Sequence, residues 1–364
     1  IPEIVQQARP PQPFYHQMKS ALAYYRELDQ PRTFRPIPDN VVLKPGQSHS
    51  HIPLLRQRLR DLGYQVTAEN SQPTYGPGLE SAVRQFQADH GIDVDGVIGR
   101  QSYNFLNMSY SARVDSLRIN MDRVRWISQS ISDDYIVVNI AGFELYYHRG
   151  LEFQWETPVM TGTIQHQTPI FTAKLKYLEF NPIWTVPRSI IGRSLLPKFK
   201  ANPQYVNDNN YHLYNRQGKQ VDPMSIDWAS ASISNFPYSV VQQPGDKNAL
   251  GRVKFIFPNR HAVYLHDTPS RALFSRSARA FSSGCVRVKQ PLEFASVLLN
   301  DPQRWSVEQV RDLVASRKPQ ERVYLDRDVD VMLMYWTTSP TGDGRLQFHA
   351  DVYGKDPAAL AALN

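Results

Sequence analysis

The chain has 364 residues, and its 41% apolar and 21% charged residues are ordinary for a globular protein. This length is too great for one compact core, so two or three domains are expected, and no window approaches the 18 uninterrupted apolar residues of a membrane span. The formal net charge of +7 favours an anionic partner, but the 41 Lys and Arg residues are scattered and form no nucleic-acid-binding stripe.

Residues 1–50 are predicted to form an N-terminal helical segment and a linker. Pro and Gln are frequent, one helical stretch covers about Tyr15–Leu28, and prolines mark a linker over Arg32–His51. The chain begins with Ile1-Pro2-Glu3 rather than with an initiator Met or a signal peptide, so we interpret it as a mature or trimmed chain. The tract Ser48-His49-Ser50-His51 is expected to be solvated rather than metal-binding.

Residues 51–110 are predicted to form a small domain of three helices. Two of the helices carry apolar residues on one face, namely Leu55, Leu59 and Leu62 in the first and Leu79, Val83 and Phe86 in the second. Gly63 and Gly91 are expected to end these helices, and a third helix is expected over about Arg100–Asn107.

The segment after the second helix supplies a first resemblance to a known family. Asp93, Asp95 and Gly96 faintly match a calcium-binding loop, but the other ligands of such a loop are absent, which favours a tight turn. Together with the two apolar helix faces, Val94–Gly99 resembles the three-helix peptidoglycan-binding domain. The resemblance implies binding to the bacterial cell wall, although such modules also serve as scaffolds.

A helical connector is expected at 111–132, around Leu117–Ser128, followed by a β-rich domain at 133–335 and a C-terminal segment at 336–364. Tyr135–Ile140 and Phe143–Tyr147 flank Ala141-Gly142 and predict a hairpin. Further strands are predicted at Leu151–Val159, Phe171–Leu178, Val253–Ile256, Ala262–Leu265, Val323–Leu325 and Val331–Thr337. Helices are predicted at Pro291–Leu299, with Pro at its first position, and at Ser306–Ser316, where Ser306 and Gln309 suit a capping box.

Residues about 188–245 interrupt this β-rich pattern. They are rich in Asn, Tyr, Ser and Pro and show little periodicity, which predicts a long insertion. Insertions of this size in compact domains usually serve a function, so we expect a cap over the active site. The alternative is a poorly ordered surface loop.

Cys285 is the only cysteine of the chain and lies in a loop of small residues, Ser282-Ser283-Gly284-Cys285. A lone thiol forms no intramolecular disulfide, and in an oxidising compartment it is a liability unless it has a function; the alternative is an inert buried thiol. The backbone N–H groups of Ser283, Gly284 and Cys285 are expected to converge into an oxyanion hole. Arg287, two residues further on, is expected on the same face as Cys285.

His266 ends a predicted strand and precedes Cys285 by 19 positions. A free thiol with a pKa near ~8.5 is mostly protonated at neutral pH, so a neighbouring imidazole is needed to accept its proton. His266 is the candidate for this base. Asp267 is a doubtful third member of a triad.

His266 and the run Ser-Ser-Gly-Cys-Val-Arg at 282–287 resemble the catalytic signature of L,D-transpeptidases. Ser283 stands where many members have His, as in the large periplasmic Gram-negative subgroup. Further landmarks follow in the family's order, at Thr161-Gly162, Thr168-Pro169, Asn181–Pro187 and Pro244–Gly251. The resemblance implies an α+β multidomain chain, with a β-sandwich-like catalytic domain that carries a lid insertion and a small three-helix peptidoglycan-binding domain.

The same resemblance implies a role for each residue of the site. Cys285 is assigned as the nucleophile and His266 as the base, oriented in the family by a backbone carbonyl. Residues expected to bind the oxyanion or substrate are Ser282, Ser283, Gly284, Arg287, Tyr264 and Trp184. Tyr264 and Trp184 are expected to line the stem-peptide cleft, with a place in the apolar core as the alternative.

The implied activity is formation of 3→3 peptidoglycan cross-links in the bacterial periplasm. The thiolate attacks the diaminopimelate carbonyl of a tetrapeptide donor, D-Ala leaves, and the side-chain amine of a second diaminopimelate resolves the thioester. A thiol nucleophile also implies acylation by carbapenems. No cofactor or metal, no nucleic acid and no membrane span are expected.

Two other functions stay open on the sequence. A cysteine peptidase or L,D-carboxypeptidase that hydrolyses wall peptides shares the nucleophile and the base. A non-catalytic peptidoglycan-binding scaffold needs only the helical domain, although the intact pair of Cys285 and His266 argues against it.

Overall fold

The computed structural model describes residues 13–29, 34–67, 73–125, 132–150, 152–340 and 346–364. Within these ranges the helices and strands pack around separate apolar cores, and this arrangement confirms the predicted α+β multidomain class. The helices of seven residues or more are Pro13–Leu28, Ile52–Asp61, Pro77–Asp89, Arg100–Leu106, Tyr110–Arg125, Pro291–Leu299, Val307–Ala315 and Asp356–Leu363. None of the described helices is both long and apolar enough to cross a membrane.

The strands are numbered in chain order. They are β1 (Asp134–Asn139), β2 (Glu144–Arg149), β3 (Glu152–Gly162), β4 (Phe171–Phe180), β5 (Trp184–Thr185), β6 (Tyr211–Tyr214), β7 (Gln220–Val221), β8 (Ser239–Gln242), β9 (Val253–Ile256), β10 (Leu265–His266), β11 (Ala280–Ser282), β12 (Val286–Val288), β13 (Glu321–Met334), β14 (Thr338–Pro340) and β15 (Leu346–Phe348). Nine of them form the main sheet that positions the candidate site.

The N-terminal helix Pro13–Leu28 packs against Tyr110–Arg125. Both helices share an apolar cluster with Met332, Trp336 and Phe348 of the C-terminal region, so the ends of the described chain are held together by burial. Parts of the segments predicted at 1–50 and 111–132 lie outside the described residues, namely 1–12, 30–33 and 126–131.

Three helices, Ile52–Asp61, Pro77–Asp89 and Arg100–Leu106, enclose a core of their own. The predicted apolar faces supply it, since five of the six residues are fully buried, namely Leu55, Leu59, Leu79, Val83 and Phe86. Asp95 shapes the following turn, because its Oδ1 accepts hydrogen bonds from the Val97 amide at 2.8 Å and from Gln87 Nε2 at 2.9 Å.

The main sheet has the strand order β11-β3-β12-β10-β9-β4-β13-β1-β2, and β2 also pairs with β3. β3 is long enough to do this, because Glu152–Pro158 pairs with β2 while Val159 and Met160 pair with β12. The sheet therefore closes on itself. Apolar residues from its strands and from the helix Pro291–Leu299 form one core. The predicted sandwich-like domain is therefore a closed sheet around this core.

Three predicted strands differ in their limits. The strand predicted at Ala262–Leu265 is only Leu265–His266, because Ala262 adopts a positive φ of 53° that a strand does not accommodate. The strands predicted at Val323–Leu325 and Val331–Thr337 are one strand, β13, with a register shift between Tyr324 and Val329 where charged residues interrupt the apolar pattern.

Two helices pack beside the closed sheet with the predicted start signals. Pro291 lies in the first turn of Pro291–Leu299. At Val307–Ala315 the capping box forms in both directions: Ser306 Oγ accepts from the Gln309 amide at 3.2 Å, and the Ser306 amide donates to Gln309 Oε1 at 2.9 Å.

The insertion forms a small four-stranded sheet in the order β5-β8-β6-β7. Short helical turns precede β6, at Arg188–Ile190, Ile191–Leu195, Leu196–Ala201 and Tyr205–Asp208. Its own apolar cluster includes the buried side chains of Ile191, Phe199, Leu213 and Trp228. We call residues 184–242 the cap. A cap with a separate core folds as a unit, which explains how a segment without clear periodicity is ordered.

Candidate active site

The pairing of β10 with β12 brings several of the predicted site residues close together. β10 pairs with β12 in parallel, with Leu265 opposite Val286 and His266 opposite Arg287. Tyr264 and Cys285 directly precede these two strands. The Tyr264 side chain hydrogen-bonds to Cys285, and its ring lies 5.6 Å from that of His266, so Tyr264 contacts both the thiol and the imidazole.

The imidazole of His266 is buried, with 4% of the residue exposed. Its Nδ1 lies 2.5 Å from the backbone carbonyl of Asp267, which fixes the ring orientation. Burial, followed by the nearby charge of Arg287, lowers the pKa of His266 to about 3. The imidazole is therefore neutral at physiological pH.

The thiol of Cys285 is half-buried, and its Sγ donates to the Ala262 carbonyl at 3.9 Å. Burial raises the pKa of this thiol, while hydrogen bonding to Tyr264 and the charges of Lys254 and Arg287 act in the opposite direction. The raised pKa keeps this thiol neutral at physiological pH. Tyr264 hydrogen-bonds to the thiol, and its ring lies 5.6 Å from that of His266 at an interplanar angle of 64°.

Charged side chains lie in register with His266 on the strands to either side of β10. Arg287 is on β12, and the others are on β9, β4 and β13. Lys254 of β9 lies opposite His266, Glu179 of β4 lies opposite Lys254, and Arg322 of β13 lies opposite Glu179. The Glu179 carboxylate is 3.6 Å from Lys254 Nζ and 3.3 Å from Arg322 Nε. Lys254 Nζ also lies 4.6 Å from the centroid of the Tyr264 ring, a cation–π distance.

The loop before Cys285 is held by Ser282. Ser282 Oγ accepts from the Gly284 amide at 3.0 Å and donates to the Cys285 carbonyl at 2.5 Å. Gly284 adopts a φ of +116°, which a residue with a Cβ rarely adopts, and its carbonyl accepts from Thr168 Oγ1 at 2.9 Å. Ser282 therefore shapes the loop from within rather than facing a substrate.

This arrangement corrects the predicted set of oxyanion donors. The Gly284 amide is already bonded to Ser282 Oγ, so it is not available to a substrate oxygen. In the part of the chain that the structure describes, the amides of Ser283 and Cys285 have no hydrogen-bond acceptor. The prediction of an oxyanion hole is therefore narrowed to the amides of Ser283 and Cys285.

Asp267 acts through its backbone and not through its carboxylate. The buried carboxylate accepts from the Arg252 amide at 2.9 Å and lies 3.4 Å from Arg271, while only the backbone carbonyl reaches His266. Burial raises the pKa of this carboxyl. The orienting group is therefore the main-chain carbonyl that the family resemblance implied.

Trp184 lies at the base of the cap. It pairs through β5 with Gln242 of β8 and packs, partly buried, against the apolar cluster of the cap. This position agrees with the alternative of a core role and differs from that of Tyr264, which contacts the thiol. Ser283 directs its hydroxyl towards the cap, where it accepts from Arg193 Nη2 at 3.1 Å.

Three residues near the site were missed from the sequence: Lys254, Glu179 and Arg193. Lys254 stands within a predicted strand and Glu179 directly after one, but their relation to His266 depends on which strands are neighbours. Arg193 lies in the insertion, where no periodicity indicated which side chain points out of the cap.

Comparison with known proteins identifies two domains. The family model of the L,D-transpeptidase catalytic domain, YkuD, matches residues 133–325, and that of the peptidoglycan-binding domain matches residues 48–106. A Haemophilus influenzae protein that carries the name L,D-transpeptidase is 39% identical over 249 residues, covering 68% of this chain and 50% of that protein. The chain thus spans about half the length of this curated relative.

Two solved structures are also similar. An L,D-transpeptidase from Xylanimonas cellulosilytica is 15% identical and covers 82% of this chain and 99% of its own, with a TM-score of 0.27. One from Stackebrandtia nassauensis is 14% identical and covers 83% of this chain and 97% of its own, with a TM-score of 0.29. The assignment to a family rests on the domain matches, which cover more than half of the chain, and not on these two structures.

Proposed function

This chain belongs to the family of proteins with an L,D-transpeptidase catalytic domain, and from that premise we propose that it forms 3→3 peptidoglycan cross-links, with Cys285 as nucleophile and His266 as base. The observation that carries the proposal is the parallel pairing of β10 with β12. This pairing sets His266 opposite Arg287, and Tyr264 contacts both the thiol of Cys285 and the neutral imidazole, which supports their proposed roles.

The acylation step begins from a neutral pair rather than from a thiolate and an imidazolium. As Sγ attacks the carbonyl between diaminopimelate and D-Ala, the S–C bond forms and the thiol proton moves to His266. The resulting imidazolium lies between Lys254 and Arg287 and is destabilised by both. Its proton is therefore passed readily to the amine of the departing D-Ala as the C–N bond breaks.

The tetrahedral intermediate places a negative charge on the former carbonyl oxygen. The amides of Ser283 and Cys285 supply the donors for it, and Arg287 adds positive potential. A diaminopimelate side-chain amine then attacks the thioester, forming the new C–N bond and giving a proton to His266, and His266 passes that proton to sulfur as the S–C bond breaks. The proposed partners are thus a tetrapeptide donor and a diaminopimelate acceptor, and the proposed location is the periplasm of a Gram-negative cell.

Acylation by a carbapenem tests the nucleophile directly. Meropenem is expected to add its mass to the wild-type protein, because the thiol opens the β-lactam ring to a stable thioester. Cys285→Ala is expected to gain none, and His266→Gln to react at least roughly 100-fold more slowly, as for loss of a general base. His212→Gln, in the cap, is the matched control. Intact-protein mass spectrometry is the measurement, and an adduct retained by Cys285→Ala would contradict the assignment.

The acceptor is tested with a purified disaccharide tetrapeptide. Wild-type protein is expected to yield a dimer joined between two diaminopimelate residues, identified by tandem mass spectrometry, with one D-Ala released per link. If only the tripeptide and D-Ala are formed, water is the acceptor and the protein is an L,D-carboxypeptidase.

A further inference from the structure

Arg193 joins the cap to the loop that carries Cys285. Its Nη2 donates to Ser283 Oγ at 3.1 Å, and its Nη1 donates to Nε2 of His166, which lies in the turn after β3. The Nδ1 of His166 in turn lies 3.2 Å from Thr163 Oγ1. One guanidinium from the insertion therefore contacts two loops of the closed sheet, two residues away from the nucleophile.

The backbone around Arg193 is built to deliver this side chain. Arg193 stands in a turn of π-helix, Ile191–Leu195, a form of helix often found at functional sites. Ile191 and Leu195 are buried in the core of the cap, so the side chain between them points outwards. At Gly192 a Cβ would lie 3.0 Å from the Ile233 side chain, so this glycine lets the turn lie close against Ile233.

The partners that hold the guanidinium carry no negative charge. A hydroxyl and an imidazole nitrogen accept from it, whereas Lys254, another cation of the site, is paired with Glu179. In the described ranges, no carboxylate lies within ion-pair distance of Arg193. An arginine that is exposed, fixed by neutral acceptors and adjacent to the nucleophile is available to a carboxylate, which its planar fork binds in bidentate fashion.

We propose that Arg193 binds a carboxylate of the donor stem peptide beside the scissile bond, exchanging its bonds to Ser283 and His166 for bonds to the substrate. This inference rests on the proposed function, because it takes the stem peptide as the substrate. It makes Arg193 a specificity-determining residue. Arg193 in the cap selects a donor that carries the carboxylate, and Cys285 in the catalytic loop attacks the scissile bond of that donor. Because the guanidinium belongs to the cap, the bound donor also holds the cap over the loop.

Binding to an inactive background tests this without turnover. Cys285→Ala and Cys285→Ala/Arg193→Met are titrated by calorimetry with the tetrapeptide L-Ala-γ-D-Glu-meso-diaminopimelate-D-Ala. Two further peptides carry an amide in place of one carboxylate, either on the terminal D-Ala or on the diaminopimelate side chain. Loss of Arg193 is expected to weaken the free acid roughly 10- to 100-fold, the range for a lost charged hydrogen-bonding pair.

The amidated peptides identify the carboxylate. The peptide that lacks the group bound by Arg193 is expected to bind both proteins equally, and Arg193→Lys is expected to restore part of the affinity for the free acid. Arg216→Met changes an exposed arginine of the same cap and is the matched control. Equal weakening of all three peptides would show that Arg193 binds neither of the two amidated carboxylates and would overturn the proposal, as would unchanged affinity for the free acid.

The failure of this inference is distinct from failure of the proposed function. If Cys285→Ala binds none of the peptides and the wild type forms no dimer, the substrate assignment is wrong and the inference falls with it. If dimers form while Arg193→Met leaves peptide binding unchanged, only the role of Arg193 is wrong.

Discussion

The electrostatic surroundings of His266 make it a weak base whose protonated form gives up its proton readily. Lys254 lies opposite it on one neighbouring strand and Arg287 on the other, and both cations oppose its protonation. The same cations counteract the effect of burial on Cys285 by stabilising the thiolate as it forms. The imidazole is therefore protonated only transiently. Transient protonation suits a group that accepts a proton in one step and must give it up in the next.

Replacing Lys254 by Met is expected to move the pH dependence of the thiol to higher pH. Lys254 lowers the pKa of both Cys285 and His266, so its removal raises both, and the whole pH–rate profile shifts in one direction. At pH 8 the alkylation of Cys285 by iodoacetamide should slow roughly three- to tenfold, as for a change of up to about one pKa unit.

Lys176→Met, on the exposed part of β4, is the control for a general loss of positive charge. An alkylation profile of Lys254→Met that overlies the wild-type profile would show that Lys254 has no influence on the site. Far-ultraviolet circular dichroism of both variants separates this outcome from unfolding of β9.

At the scale of elements, the cap and the closed sheet are distinct bodies joined by two strands. β5 and β8 are antiparallel neighbours, with Thr185 opposite Val241, and the Val186 amide donates to the Val240 carbonyl at 2.9 Å. The two ends of the insertion are therefore adjacent. A cap whose ends meet can be exchanged or removed without opening the sheet below it.

Deleting residues 187–239 and joining Val186 to Val240 by Asn-Gly is expected to leave the sheet folded, because this dipeptide closes antiparallel neighbours in a two-residue turn. Iodoacetamide should still alkylate Cys285, since the thiol and His266 are held by β10 and β12. Cross-linking of the tetrapeptide should fall at least roughly tenfold, because Arg193 is lost with the cap. Alkylation and dimer formation are measured on the same preparation.

A cap-deleted protein that cross-links at the wild-type rate would mean that the cap takes no part in donor binding. Loss of alkylation together with loss of a cooperative melting transition would mean that the sheet depends on the cap for its fold. Cys285→Ala in the deleted protein is the control for alkylation at other groups.

At the scale of the whole molecule, burial affects the protonation of His266 and His349, which lie in different regions of the described chain. His266 lies in the main sheet, and His349 lies beside β14 and β15, where its Nε2 is 2.7 Å from Ser339 Oγ. Burial lowers the pKa of His349 to about 4 and that of His266 to about 3. Unfolding frees both side chains to take up protons at an ordinary histidine pKa.

The free energy of unfolding is therefore expected to fall as the pH drops. Because the folded pKa values are depressed, the stabilising contribution is complete above about pH 6.5 and is lost as the pH falls towards 4. Each histidine adds a slope of up to about 1.4 kcal/mol per pH unit within this window. Glu144, whose pKa burial raises to about 7, acts in the opposite direction between about pH 4.5 and 7.

A difference measurement isolates one histidine from these opposing effects. Urea unfolding of wild type and His349→Gln at intervals from pH 7 to pH 4 should show a shallower pH slope for the variant, by about one proton. Gln keeps a partner for Ser339 but takes up no proton. Parallel slopes for the two proteins would contradict the assignment of His349 as a buried neutral group.

Much of the fold was readable from the sequence because the signals are local. Leu55, Leu59 and Phe86 repeat at helical spacing, Ser306 and Gln309 form their capping box within one turn, and all of them are found where their patterns predict. Where a pattern was interrupted, the prediction of limits failed, as at Ala262 and in the charged part of β13.

The sequence alone indicated the candidate pair and the family: one thiol in a loop of small residues and one histidine at the end of a strand point to the family that the domain match shows. The tertiary structure decided which groups act on that pair. Arg322 and Glu179 are 143 positions apart yet lie side by side in the row that reaches His266, and Arg193 reaches Ser283 across 90 positions. Which strands lie side by side is set by the order in which the strands pair, and no local pattern along the chain records that order.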